Sequence, residues 1–392
     1  MEAAASSRPR SYDGRVERFD AIVVGAGPAG STAAFRLSRA GARVLLVERE
    51  RFPRDKPCGG GLTYRAVRQL PVSVDPVVED TVRRFELGFR YGTRFERRSQ
   101  GPLILMTQRR RLDAHLAEQA AAAGADFRDG VRATAVEQDE NGATVRFDGS
   151  AASAPVVIGA DGVNGLTARS VGLAGRRRHG VALEGNAPYV HARANEYRGR
   201  AVVELGTVPG GYAWVFPKGD HVNVGVGGWE SEGRRLREHL ERACAAYGLP
   251  AERLESLRGY RLPMRSAGDS ARSGRVLLVG DAAGLVDPLS GDGIFEALVS
   301  ARLAAESTLE LLGGGALDGY QLRLDAALGR TLAASWKAKL ALERFPRVVF
   351  GVARLPLVWG FTAAFLRGDL AHPGEAKGLV RAPLRLVEAL GR

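Results

Sequence analysis

Residues Asp20 to Gly41 read DAIVVGAGPAGSTAAFRLSRAG, and RVLLVE follows from Arg43 to Glu48. DAIVVG is a short apolar, β-branched run ending in glycine, as a fully buried parallel strand requires. PAGSTAAFRLSRAG then predicts a helix: Pro28 suits the first turn, Ala33, Leu37 and Ala40 share one face, and Gly41 ends it. RVLLVE is the next strand. Strand, helix and strand within about 30 residues make a βαβ unit with a right-handed crossover. At its first turn lies Gly25-Ala-Gly-Pro-Ala-Gly30, a GxGxxG motif, with Glu48 closing the second strand. Gly25 permits the tight turn, Gly27 lets the backbone approach a pyrophosphate at the positive helix end, and Gly30 allows close helix–strand packing. Glu48 can accept hydrogen bonds from a ribose. The context, more than the letters, points to dinucleotide binding.

Outward from this unit, residues 49 to 62 form a loop rich in Arg, Pro and Gly. A helix is expected near Arg109 to Ala123, an antiparallel pair at Val131–Gln138 and Ala143–Asp148 joined by Asn141-Gly142, and a buried strand from Pro155. From Val181 to Gly227 the pattern turns to strands, clearest in AVVEL, YAWVF and HVNVGVG. RVLLVGDAAG, Arg275 to Gly284, returns to a buried parallel strand, and from Ile294 onward the chain reads as helix. The expected class is α/β: a Rossmann-type nucleotide-binding domain, an inserted antiparallel β-sheet substrate domain and a helical C-terminal region. The expected boundaries are a loose tail over 1–18, nucleotide-binding segments 19–75, 106–175 and 271–315, substrate-domain strands 76–105 and 176–270, and the helical region 316–392.

Bulk properties bound the function. A chain of 392 residues exceeds the size at which one hydrophobic core stops growing, so interleaved domains are expected. Fifty-six Lys and Arg against 44 Asp and Glu leave a formal charge of +12, which suits anionic partners. Arg is scattered and no nucleic-acid-binding motif is visible, so nucleic acid is not expected. Cys58 and Cys244 are the only cysteines, too few for a disulfide framework, and a reducing cytoplasm fits. His115, His179, His191, His221, His239 and His372 lack metal-ligand spacing, so no metal is expected. Residues 1 to 18 lack the apolar core of a secretory signal. Val348 to Leu366 is the most apolar stretch, but Arg354 and Pro356 break it; it could lie on a membrane without crossing one. The expected location is cytoplasmic, at the inner membrane face where the chain docks.

A second anchor is Gly280-Asp281. A carboxylate at the carboxyl end of a buried strand is costly unless something uses it, and the hydroxyl of a bound polyol would. Its alternative role is an N-cap for the following turn. Pro288-Leu-Ser-Gly-Asp-Gly-Ile-Phe-Glu296 then opens a helix whose positive end would face a ligand.

GxGxxG, Gly159-Ala-Asp-Gly162 and Gly280-Asp281 together resemble the p-hydroxybenzoate-hydroxylase-like FAD superfamily over almost the entire chain. Within it, Phe52-Pro-Arg-Asp-Lys-Pro-Cys-Gly-Gly-Gly61 and Tyr212-Ala-Trp-Val-Phe-Pro-Lys218 resemble the geranylgeranyl reductases, which saturate prenyl chains. The resemblance implies FAD held by Gly25, Gly27, Pro28, Ala29, Gly30, Glu48, Arg49, Cys58, Gly59, Gly60, Arg109, Asp161, Gly162, Gly280, Asp281, Pro288, Gly291, Gly293 and Ile294. It also implies backbone amides at Gly291, Asp292 and Gly293 facing the flavin pyrimidine, and a prenyl channel lined by Tyr212, Trp214 and Phe216. These three share one strand face, so plain core packing is the competing account. Tyr212 and Trp214 would act in catalysis through their faces, and Cys58 as proton donor or redox partner.

No second GxGxxG has helix context, so NAD(P)H, if it is the reductant, docks transiently; reduced ferredoxin or a quinol would serve equally. The implied substrate is a prenyl lipid or prenyl diphosphate, and a monomer is expected. A flavin monooxygenase or halogenase is the alternative on the same scaffold, but such halogenases usually read Trp-x-Trp-x-Ile-Pro where this chain has Tyr212, Phe216 and Lys218. A non-catalytic FAD-dependent scaffold is a third reading.

Overall fold

A computed structural model describes residues 16–175 and 177–392. Among them a six-stranded sheet runs in the order Arg272–Ser273, Val276–Leu278, Val157–Gly159, Ala21–Val24, Val44–Glu48, Asp126–Asp129. All neighbours are parallel except the first pair. The three strands on one side of Ala21–Val24 come from far along the chain, so the nucleotide-binding unit is discontinuous, as its sequence pattern implies. Ile22, Leu45, Leu46, Ile158 and Leu277 are fully buried, which explains why these strands read as unbroken apolar runs.

Helices Pro28–Arg39, Arg109–Ala122 and Ile294–Leu312 pack together on this sheet. Ala33 and Leu37 are buried on the expected face, whereas Ala40 falls at the helix cap and is exposed. A second sheet, in the order Glu17–Arg18, Ser150–Ala154, Ala143–Phe147, Ala133–Gln138, shares the same core. The expected tail therefore ends earlier than residue 18, because Glu17 and Arg18 pair with Ala152 and Ser153. Residues 1–15 of that tail lie outside the described residues.

A seven-stranded sheet runs Glu255–Met264, Arg178–Pro188, His221–Trp229, Tyr212–Pro217, Arg200–Leu205, Arg84–Phe89, Thr93–Arg98. Only Arg200–Leu205 and Arg84–Phe89 are parallel neighbours. Residues 76–105, expected as substrate-domain strands, divide between two sheets: Arg84–Phe89 and Thr93–Arg98 join this one, while Val78–Val82 pairs with Ile104–Thr107, which also pairs with Gly61–Thr63. Period-two alternation identifies strands but carries no information about which sheet each one joins.

One face of the seven-stranded sheet is covered by helix Leu236–Tyr247, with Ala213, Val215, Val224 and Val226 against Leu240, Ala243 and Cys244. The other face carries Tyr212, Trp214 and Phe216. Helices Gly319–Arg344, Pro346–Ala353, Pro356–Arg367 and Arg381–Leu390 complete the chain. Phe350 stacks on Phe89 at 5.0 Å, and Trp359 meets Phe85 at 6.1 Å. The C-terminal helices thereby wall the space in front of the sheet.

Candidate active site

One cavity of about 1220 Å³ lies between the parallel sheet and the seven-stranded sheet, above the ~300–1,000 Å³ usual for a small-ligand pocket. Every site residue expected from the sequence lines it, with the single exception of Gly30. Gly30 serves packing: a Cβ there would stand 1.8 Å from Gly25 O. Gly25 has φ +101°, where L side chains are strained.

Gly27 differs from both. A Cβ built on it meets nothing nearer than the guanidinium nitrogens of Arg54 and Arg109, at 3.7 and 3.8 Å. The protein itself leaves this space open, at a helix N-terminus between two cations, which is the environment a diphosphate requires. Arg109 is locked by Asp113, with Nε–Oδ1 and Nη2–Oδ2 both 2.7 Å, and Arg54 Nη1 reaches Asp113 Oδ2 at 2.6 Å. Burial alone would raise the Asp113 carboxyl, but Arg109 and then Arg54 overcome it and hold it below the ordinary range. Glu48 ends its strand, accepts from Ala26 N at 3.1 Å and from Arg54 Nη2 at 3.3 Å, and retains lone pairs for ribose hydroxyls.

Asp281 faces the cavity and does not cap the following turn. Its Oδ2 accepts from Lys56 Nζ and from Tyr260 Oη, both at 2.9 Å. Burial opposes its charge, yet Lys56 holds its carboxyl below the ordinary range. Asp161 accepts from Thr167 N and Oγ1 at 2.8 and 2.9 Å, while its Oδ1 is buried without a partner, and burial pushes its carboxyl upward. The loop from Pro288 to Gly293 is shaped by Asp287, whose Oδ1 accepts from Leu289 N, Ser290 N and Ser290 Oγ. Gly291 has φ +64°, and the helix beginning at Ile294 starts against the cavity.

Cys58 is anchored through its backbone: its N–H donates to Glu184 Oε1 at 2.7 Å and its carbonyl accepts from Lys218 Nζ at 3.0 Å. Tyr212 Oη donates to Ser290 O, tying the sheet to the glycine loop. Burial keeps this phenol protonated by raising its pKa above the ordinary value. Trp214 Nε1 donates to Asn223 Oδ1 at 2.8 Å, so its one polar atom is satisfied and its face stays apolar. Beyond these aromatics the cavity continues between Phe85, Leu87, Phe95, Val349, Trp359 and Phe365.

Sequence reasoning missed Arg54, Lys56, Glu184, Asp287 and Lys339. Arg54 and Lys56 stand within the quoted loop beside Cys58, and their charges were the available signal. Lys339 lies mid-helix in Gly319–Arg344, donates to Gly210 O and lies 4.2 Å from the Trp229 ring; burial pushes its ammonium down to about 8. Nothing in its local sequence distinguishes it from a surface lysine.

The FAD-binding domain family matches residues 18–326. The menaquinone reductase of Mycolicibacterium smegmatis is 33% identical over 93% of this chain and 95% of its own. The chloroplastic geranylgeranyl diphosphate reductase of Oryza sativa subsp. japonica is 31% identical over 84% of this chain and 73% of its own. The chain belongs to the FAD-dependent geranylgeranyl reductase family. It is thus an FAD-dependent oxidoreductase, and the open space at Gly27 with its flanking cations fits that cofactor. A geranylgeranyl bacteriochlorophyll reductase-like protein from Thermoplasma acidophilum shares the fold with a TM-score of 0.80, at 24% identity over 96% of this chain and 100% of its own. A flavin-dependent brominase shares it too, with a TM-score of 0.73 at 17% identity, over 94% of this chain and 98% of its own.

Among the described residues no group of His, Cys, Asp and Glu side chains is placed to hold a metal ion, and no single helix is long and apolar enough to cross a membrane. Helices Pro346–Ala353 and Pro356–Arg367 meet at a bend of 83°, where Arg354 and Pro356 interrupt the apolar run.

Proposed function

We propose that the protein saturates isolated double bonds of a geranylgeranyl or other polyprenyl chain. The observation that carries this reading is the continuity of the cavity, which joins the nucleotide motifs at one end to an arm walled by aromatic and aliphatic side chains at the other. Such an arm suits a long hydrocarbon and offers few competing polar groups. Reduced FAD supplies the hydride when bound. The isolated alkene is unactivated, so positive charge building at its tertiary carbon needs an electron-rich wall, and the faces of Tyr212, Trp214 and Phe216 provide one. Lys56 fixes Asp281 at the polyol side, while Glu184 and Lys218 fix the Cys58 loop. Cys58, which lines the cavity, delivers the proton from Sγ, and NAD(P)H or reduced ferredoxin serves as electron donor.

The substrate is taken from a bilayer, with the protein at the cytoplasmic membrane face. Supporting this, the bent helix pair both walls the cavity through Val349, Trp359 and Phe365 and exposes Phe345, Val348, Leu355 and Leu357. Arg344, Arg347 and Arg354 punctuate the same surface, where arginine heads would meet lipid phosphates. Oxygen uptake with NAD(P)H, measured with and without prenyl substrate, tests the reading. A reductase yields product with two added hydrogens and no matching oxygen uptake, whereas a monooxygenase or halogenase consumes oxygen with product.

A further inference from the structure

The Cys58 loop has a second side. Besides the large cavity it borders a separate space of about 30 Å³, room for about two waters at ~15 Å³ each. The wall of this space is polar: Glu184 and Asn186 from one strand, Lys218 and His221 from the neighbouring hairpin, and Cys58 from the loop. Its rim at Asp55, Ser256 and Arg258 is exposed, which gives it a route to solvent. Glu184 and Lys218 already hold the loop at Cys58 N and O. His221 has no such task.

His221 is only 8% exposed. Its Nδ1 lies 2.7 Å from Asp220 Oδ1, and the bond holds the Asp220 carboxyl below its ordinary range. A carboxylate only accepts, so Nδ1 carries the hydrogen. Nε2 is buried without a partner. Buried polar atoms are rarely left so, and a water in the adjoining space satisfies it. The neutral ring accepts from that water, whereas the imidazolium donates to it. Cys58 borders the same space, and Gly60 N donates to its Sγ at 3.4 Å, a bond that favours the thiolate. Burial, aided by Lys218, outweighs Asp220 and Glu79 and pushes the ring below its ordinary value. Burial also pushes the Glu184 carboxyl up, against Lys218. Driven toward each other, these two groups share a proton through a water at small cost.

We propose that His221 recharges Cys58: after Sγ has given its proton to the alkene, a water in the small cavity passes a proton from His221 Nε2 to the thiolate. This rests on the reading of Cys58 as proton donor. The step balances. The hydride saturates one alkene carbon and the thiol proton the other; the thiolate then regains one proton, and the neutral ring takes its next one from solvent through the rim. His221 does not line the large cavity. It acts through Cys58, so it governs how fast the site resets and not the first transfer.

The test separates the first turnover from later ones. Full-length, FAD-loaded protein is kept reduced with excess dithionite under anaerobic conditions and mixed with geranylgeranyl diphosphate or geranylgeraniol, and product with two added hydrogens is followed by rapid quench. His221→Gln, with FAD content unchanged, should form the first equivalent of product at the unmodified rate. Later equivalents should slow at least ~10-fold, the visible part of a ~100-fold loss in proton transfer once resetting becomes limiting. Imidazole in the medium should speed the later turnovers of His221→Ala. In the unmodified protein later turnovers should slow as pH rises through the lowered pKa of the ring. Asp220→Asn, at a side chain 84% exposed, should move that fall to lower pH, because the imidazolium loses its stabilising charge. Equal slowing of first and later turnovers in His221→Gln gives the ring a structural role and overturns the proposal, as do later turnovers at the unmodified rate. Undiminished turnover in Cys58→Ser removes the donor itself, a separate failure, and absence of product from both ligands removes the prenyl reading.

Discussion

Lys56 Nζ lies 2.9 Å from Asp281 Oδ2, joining residues 225 positions apart. The pair ties the Cys58 loop to the last strand of the nucleotide unit, so it positions both sides of the cofactor space at once. Lys56→Met would leave the Asp281 carboxylate without its cation. The expected loss is roughly 1–3 kcal/mol, between the values for exposed and buried pairs, with weaker FAD retention. The sign with pH follows from the lowered folded-state pKa of Asp281. The stability is fully present above the ordinary carboxylate value of about 3.9 and is lost as pH falls through the lowered one. Thermal unfolding from neutral to acid pH checks this: the gap between the two proteins should narrow in acid, and an equal Tm at neutral pH would contradict it.

Gly27 and Gly30 should behave differently when substituted. Gly27→Val fits into space the protein leaves open, so it should fold with near-normal Tm yet bind no FAD. Gly30→Val places Cβ on the Gly25 carbonyl and should fail to fold. Absorbance near the flavin bands together with far-ultraviolet circular dichroism separates these outcomes. A fully flavinated Gly27→Val protein would remove the assignment of that space to the cofactor.

Trp214→Ala should leave FAD bound while raising KM for the prenyl substrate roughly tenfold, about 1.4 kcal/mol. Because Trp214 is only 8% exposed, the truncation also costs about 3–5 kcal/mol of stability. Trp214→Phe, which keeps an aromatic face, is the control and should restore most of the KM. Flavin loss with unchanged turnover per bound FAD would instead support the packing account. Cys58→Ser, measured in parallel, should lower kcat; undiminished turnover would take Sγ out of proton delivery.

How far the sequence was legible depended on whether a function was written in local pattern. GxGxxG, Glu48, Gly280-Asp281 and the alternation of Tyr212, Trp214 and Phe216 each follow from one strand or one turn, and the structure brings them to a single cavity. Arg54 with Asp113 and Lys56 with Asp281 are pairings between distant segments, which periodicity cannot register. The same limit left open which sheet Val78–Val82 joins, because that is chosen by tertiary pairing. The C-terminal region read correctly as helix, but its double role as cavity wall and exposed surface depends on the 83° bend.

That double role changes how membrane docking must be tested. Removing residues 346–392 would open the cavity, since Phe350, Val358 and Ala363 are buried. Replacing exposed Val348, Leu355 and Leu357 by Asp leaves those contacts in place. The unmodified protein should sediment with vesicles containing anionic lipid, less so at high salt because surface attraction is screened. The triple variant should remain in solution with FAD still bound. If the unmodified protein stays in the supernatant at low salt, docking through this face is wrong.

The central claim is tested most directly by anaerobic single turnover. Protein whose bound flavin has been chemically reduced is mixed with a geranylgeranyl-bearing lipid, and flavin absorbance and product mass are followed together. The account predicts that the oxidised flavin spectrum returns only when the prenyl ligand is present, with the ligand gaining the mass of two hydrogens per flavin reoxidised. Flavin that stays reduced until oxygen is admitted, with hydroxylated or halogenated product and an unchanged prenyl chain, would contradict it.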